Sequence, residues 1–153
     1  MRTTFPDRSF RGPPEPSVTG MTRRLRALVV EDEHLIAASL AEALRRIGLD
    51  VGGIASNRAE AVALIERDGF DIAFIDLYLG CESHGLDLAQ LASSRAVAVV
   101  LVTGQLSHAI SDTLARLHSA ALLTKPFSVE QLRMVIGTIR RTLAGKPPGR
   151  PPA

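Results

Sequence analysis

The sequence predicts an α/β protein, a doubly wound parallel sheet of five strands in (βα)5 order within one domain. Three observations carry that prediction. Between residues 25 and 143 the hydrophobic period switches repeatedly from short apolar runs to helical spacing, giving strand then helix five times over. Such alternation implies parallel strands, right-handed crossovers and helices on both faces of the sheet. The chain has 153 residues, 46% hydrophobic and 22% charged. That is ordinary globular material, long enough to bury roughly two thirds of its unfolded surface.

The elements follow in order. LRALVV (25–30) reads as a short buried strand, and Leu35, Ile36, Leu40, Ala43, Leu44 and Ile47 then recur at helical spacing up to a C-cap at Gly48. DVGGI (50–54) is a weak strand, followed by a helix from Ala59 to Arg67 with Asn57 as N-cap. DIAFID (71–76) is a strand and Leu86 to Ser93 a short helix. AVAVVLVT (96–103) is the strongest strand signal, and Leu106 to Leu117 is helical. ALL (121–123) is a brief strand. Ser128-Val-Glu-Gln131 is a capping box that opens a last helix with Leu132, Ile136, Ile139 and Leu143 on one face.

The expected organisation is a disordered extension at 1–22, a folded domain at 23–143 and a Pro-rich tail at 144–153. Met21, followed by TRRLRALVV, resembles a natural start. The basic pI of about 9.2 invites a nucleic-acid reading. Locating the charge removes it: the extension carries +1 and the tail +2, while the body holds 13 basic and 14 acidic residues. The single Cys81 excludes an internal disulfide framework and fits a reducing compartment. No apolar run approaches the roughly 18 residues of a membrane span, and the first twenty residues are no secretory signal.

In open α/β sheets, function gathers beyond the carboxyl ends of the strands. There the sequence places Glu31 and Asp32 after the first strand, Asp76 at the end of the third, Thr103 at the end of the fourth and Lys125 after the fifth. Carboxylates about 4 Å apart repel by roughly 4 kcal/mol per pair at an effective dielectric near 20, so a cation or a proton must join them. An all-oxygen cluster of this size suits Mg2+. With the charge neutralised, Asp76 becomes a nucleophile for a phosphoryl group, with Lys125 supplying positive charge and Thr103 a hydroxyl.

VVEDE, FIDLYLG, LVTG and LTKPF, in that order on five β-α units, resemble the receiver domain of two-component response regulators over residues 25–143. The resemblance implies the flavodoxin-like receiver topology. It makes Asp76 the phosphoacceptor, with Glu31, Asp32, Asp76 and the backbone carbonyl of Tyr78 as Mg2+ ligands. Thr103 and Lys125 become switch residues that bind the phosphoryl group, and the Lys125–Pro126 bond is expected cis. The family takes phosphate from a histidine kinase or a histidine phosphotransfer protein and then re-forms a face made by the fourth helix, fifth strand and fifth helix. Leu122, Met134 and Val135 fall on that face, which would bind a downstream protein or a second copy. Tyr78 and Gln105, two residues past Asp76 and Thr103, flank the path of attacking water and would set the lifetime of the phosphorylated form. By resemblance this is a cytoplasmic bacterial phosphoprotein that assists its own phosphorylation and dephosphorylation, not an enzyme.

The sequence departs from the family pattern in four places. The first acid is Glu31 rather than Asp, the loop after Asp76 lacks the usual Pro and reaches Gly85 one residue late, Leu122 replaces the usual aromatic, and no output domain is expected after residue 143. The third departure and the altered loop keep an alternative open, a receiver-like interaction module that works without phosphorylation. An aspartate-nucleophile phosphohydrolase is disfavoured because Tyr78 stands where it needs a second acid. Bland readings cover the rest. His34, His84, His108 and His118 are scattered surface residues, Cys81 is a loop thiol, Gly52-Gly53 is no dinucleotide fingerprint, and Pro148 to Pro151 is a chance PxxP.

Overall fold

The sheet order is β2-β1-β3-β4-β5, all parallel, and the chain alternates strand and helix throughout. The computed structural model describes residues 23–80, 85–117 and 119–145. The extension at 1–22, Cys81, His84, His118 and the PxxP stretch lie outside them. The elements are β1 (Arg26–Val30), α1 (His34–Ile47), β2 (Asp50–Ala55), α2 (Arg58–Glu66), β3 (Ile72–Asp76), α3 (Gly85–Ser94), β4 (Ala98–Thr103), α4 (His108–Arg116), β5 (Ala120–Thr124) and α5 (Val129–Ala144).

Strand alternation divides the core in two. Leu28, Val30, Ala73, Ile75, Val99 and Leu101 point to one face, where Ala61 and Ile65 of α2, Leu88 of α3 and Ile110 of α4 cover them. Ala27, Val29, Ile72, Phe74, Val100 and Val102 point to the other, under Leu40 and Leu44 of α1 and Leu132, Ile136 and Ile139 of α5. Burial on both sides is why β3 and β4 read as unbroken apolar runs. Strand order reverses between β1 and β3, so a crevice is expected at their carboxyl ends.

Local chemistry sets the boundaries. Gly48 closes α1 in the left-handed conformation, φ +103°. The Asn57 side chain accepts from Glu60 N at 2.9 Å, and both halves of the Ser128–Gln131 capping box form. Gly85 starts α3 hard against β3. A Cβ there would lie 2.5 Å from the Asp76 carbonyl oxygen and from Leu77 Cα, so no other residue fits.

Two element starts move by two residues and the other boundaries by one at most. β4 starts at Ala98 instead of Ala96, which has φ +60° and belongs to the turn. α4 starts at His108 instead of Leu106, because the Ser107 hydroxyl accepts from Ile110 N and caps it. Leu35 leaves the apolar stripe of α1 and is 87% exposed. It lies two residues, about 200° of helical turn, from buried Ala37. α5 continues to Ala144.

Candidate functional site

The carboxyl ends of β1, β3, β4 and β5 bring the five expected groups together. Glu31 extends the β1–β2 pairing by donating its N–H to Ala55 O at 3.0 Å. Lys125 N donates to Thr103 O at 2.7 Å, and the Lys125–Pro126 bond is cis. Glu31, Asp76 and Thr103 are the buried polar side chains among the described residues, at 4%, 7% and 0% exposure.

Carboxylate oxygens of Glu31, Asp32 and Asp76 lie within 4.8 Å of one another. The Lys125 ammonium donates to Glu31 Oε2 at 3.1 Å and to Asp76 Oδ2 at 2.9 Å. Backbone N–H groups hold the remaining corners: Glu33 N donates to Glu31 Oε1, Tyr78 N to Asp76 Oδ1 and Gly80 N to Asp32 Oδ2, at 3.2, 3.0 and 2.9 Å. Burial, with the Asp76 carboxylate beside it, pushes the Glu31 carboxyl up to about 7. The Gly80 N–H holds Asp32 below the usual carboxylate range. Burial works against the Lys125 ammonium, yet its bonds to Asp76 and Glu31 outweigh it and raise the group.

Three acids against one ammonium leave the site short of positive charge, and the raised Glu31 carboxyl reflects that shortage. The response regulator receiver domain model matches residues 27–137. The chain belongs to the response regulator receiver family. Transcriptional regulatory proteins TcrA and PdtaR of Mycobacterium tuberculosis are each 33% identical to it, over 82% and 70% of the chain. The chain spans about half the length of these curated relatives, 49% and 52%. Among solved structures, a CheY-like receiver domain protein from Methanospirillum hungatei superposes with a TM-score of 0.70 at 25% identity. The receiver domain of a modulated diguanylate cyclase from Desulfovibrio desulfuricans gives 0.69 at 26%. Both superpositions take in 80% of this chain and 99% of the other.

Receiver domains generally bind Mg2+, and the donor set here fits it. All ligand atoms offered are oxygens, and the excess negative charge that raises Glu31 is what a divalent cation would neutralise. Glu31, Asp32 and Asp76 would hold the ion.

The remaining expected residues sit less simply. The Thr103 hydroxyl lies at the correct strand end, but it donates to the Gln105 carbonyl at 2.8 Å and accepts from Gln105 N at 3.2 Å. Tyr78 is 50% exposed at the rim of this receiver site, and Gln105 is also exposed. Leu122 is half-buried on β5 and packs toward the α4 side. Val135 is half-buried on α5, and Met134 beside it is exposed. β5 is an edge strand, with Leu122 packing toward one face of the sheet and Val135 toward the other. Sequence reasoning missed the backbone donors of Glu33 and Gly80 and the backbone acceptor of Gln105. Only Gly80 left a trace, as a glycine that adopts φ +67°. A 470 Å3 apolar cleft between α1 and α5, walled by Leu35, Ile36, Leu40, Phe127, Val129 and Leu132, contains none of these groups. Among the described residues no helix is long and apolar enough to cross a membrane.

Proposed function

We propose that this response regulator receiver takes a phosphoryl group onto Asp76 from a histidine kinase or histidine phosphotransfer protein and signals by altered protein docking. The observation that carries the reading is Asp76 at the sheet's carboxyl edge, within 4.8 Å of two further acids and 2.9 Å from the Lys125 ammonium. In the transfer, an Asp76 oxygen forms the new P–O bond as the donor's P–N bond breaks, and the departing imidazole nitrogen keeps the bonding pair. When bound, Mg2+ would supply charge neutralisation to the acids and the phosphoryl oxygens. Glu31, Asp32, Asp76 and the Tyr78 carbonyl would be its protein ligands.

Lys125 would follow the negative charge from the Asp76 carboxylate onto a phosphoryl oxygen. Thr103 would exchange the Gln105 carbonyl for another phosphoryl oxygen, which frees Gln105 and the start of α4. α4 is suited to respond, since Ile110 is its single buried residue. The face of α4, β5 and α5, which carries Leu122, Met134 and Val135, would then meet a downstream protein or a second copy. A cytoplasmic location follows from the expected donor.

Intact-protein mass after incubation with Mg2+ and acetyl phosphate tests the reading. One added phosphoryl group, absent with Asp76→Asn and absent without metal, supports it. No gain, with no Mg2+ binding, would overturn it in favour of a docking module that works without phosphorylation.

A further inference from the structure

A single short segment grips two of the three acids. Tyr78 N–H donates to Asp76 Oδ1 and Gly80 N–H donates to Asp32 Oδ2, at 3.0 and 2.9 Å. In extended backbone, alternate residues face the same side. Leu79 between them faces the core at 6% exposure and pins the segment in place. Gly80 itself sits at φ +67°, which a glycine adopts without strain, and its N–H donates to a residue 48 positions away. The family's usual Pro in this loop is missing, and a proline would have no N–H to give.

We infer that Gly80 is a positioning residue for the cation site: its N–H fixes the orientation of the Asp32 carboxylate and couples cation binding to the segment that leads into α3. This rests on the receiver reading of the acid cluster. Partners that orient a ligating carboxylate are worth roughly 10–100-fold in metal affinity, so losing this one N–H weakens Mg2+ binding about tenfold. Coupling is reciprocal, so Mg2+ must in turn perturb the Gly80 amide.

The test uses the full chain and Mg2+ alone, read by calorimetry and by amide NMR. Gly80→Pro removes the N–H and also forbids φ +67°, so its expected loss of about tenfold in Mg2+ affinity counts only together with the wild-type Gly80 amide response. Gly80→Asn keeps the N–H and tolerates the left-handed conformation, and a Cβ at this position meets nothing within 4 Å, so its affinity stays near wild type. Equal affinity in Gly80→Pro and wild type, or an equal loss in both variants, overturns the inference while leaving the receiver reading intact. If Gly80→Pro does not fold, the wild-type Gly80 amide decides. It is protected from exchange, it shifts on Mg2+ addition with the same midpoint as the calorimetric binding, and it loses protection in Asp32→Ala. A Gly80 amide that is unprotected and unresponsive to Mg2+ overturns the inference. A wild-type protein that binds no Mg2+ overturns it together with the reading beneath it.

Discussion

Replacing Lys125 by Met, which keeps most of the aliphatic stem, separates the charge of this residue from its packing. Its ammonium makes two bonds, to Glu31 and to Asp76, both buried acceptors. Hydrogen bonds to charged groups are worth about 1.5–3 kcal/mol each, and their number here depends on pH. Glu31 has a native value raised from 4.5 to about 7, so the native state holds a proton that the unfolded chain has lost between those limits. The stability from that proton is full below about 4.5 and is lost as pH rises through 7, at most about 3 kcal/mol. Asp32 is lowered and Lys125 raised, so their contributions change below 3.8 and above 10.5, outside the range tested. At pH 5 Glu31 is mostly protonated and offers Lys125 a neutral partner; at pH 8 it is mostly ionised and offers a charged one. Lys125→Met should therefore cost about 3 kcal/mol at pH 8 and about half that at pH 5, without Mg2+. Denaturant titration followed by circular dichroism at the two pH values measures this. Equal losses at both would refute the argument and assign the cost to packing.

Four other outcomes are expected. Saturating Mg2+ at about 100 times its dissociation constant should stabilise the wild type by about 2.7 kcal/mol in thermal melts, and Asp32→Ala should abolish most of that gain. Gly85→Ala should destabilise by about 2–3 kcal/mol in denaturant titration, because its methyl meets backbone at 2.5 Å. Thr103→Ala should still gain phosphate by intact mass, yet show no phosphate-dependent change in the α4 amides by NMR. Tyr78→Asn should shorten the phosphoryl lifetime, measured by mass after donor removal, if the half-exposed ring at the rim restricts attacking water as proposed.

The fold was legible because its two hardest constraints leave sequence traces. Strands covered on both faces must be apolar throughout, so IAFID and AVVLVT announce themselves. Caps such as Asn57 and the Ser128–Gln131 box use side chains. What stayed hidden depends on backbone or direction. Leu35 fits a helical period within one residue of the buried stripe, and only the orientation of α1 shows that it faces out. Ser107 caps α4, but the apolar Leu106 before it drew the predicted start two residues early. Ala96 with φ +60° has no signature at all, since alanine rarely adopts it.

The same division runs through the site. Side chains at strand ends were readable, whereas the groups that orient them were not. Glu31 shows why this matters for its extra methylene. In this geometry the longer side chain spans two protein donors, with Oε2 on Lys125 and Oε1 on Glu33 N. Asp32 is tied by one loop N–H and Asp76 by another plus Lys125. Every acid is therefore held by a fixed donor before any cation arrives, and the remaining charge shortage falls on the most buried of them, which answers with a proton. On the proposed mechanism such a site would take a cation in place of that proton, with the Lys125 ammonium and the Thr103 hydroxyl re-aimed at the phosphoryl group.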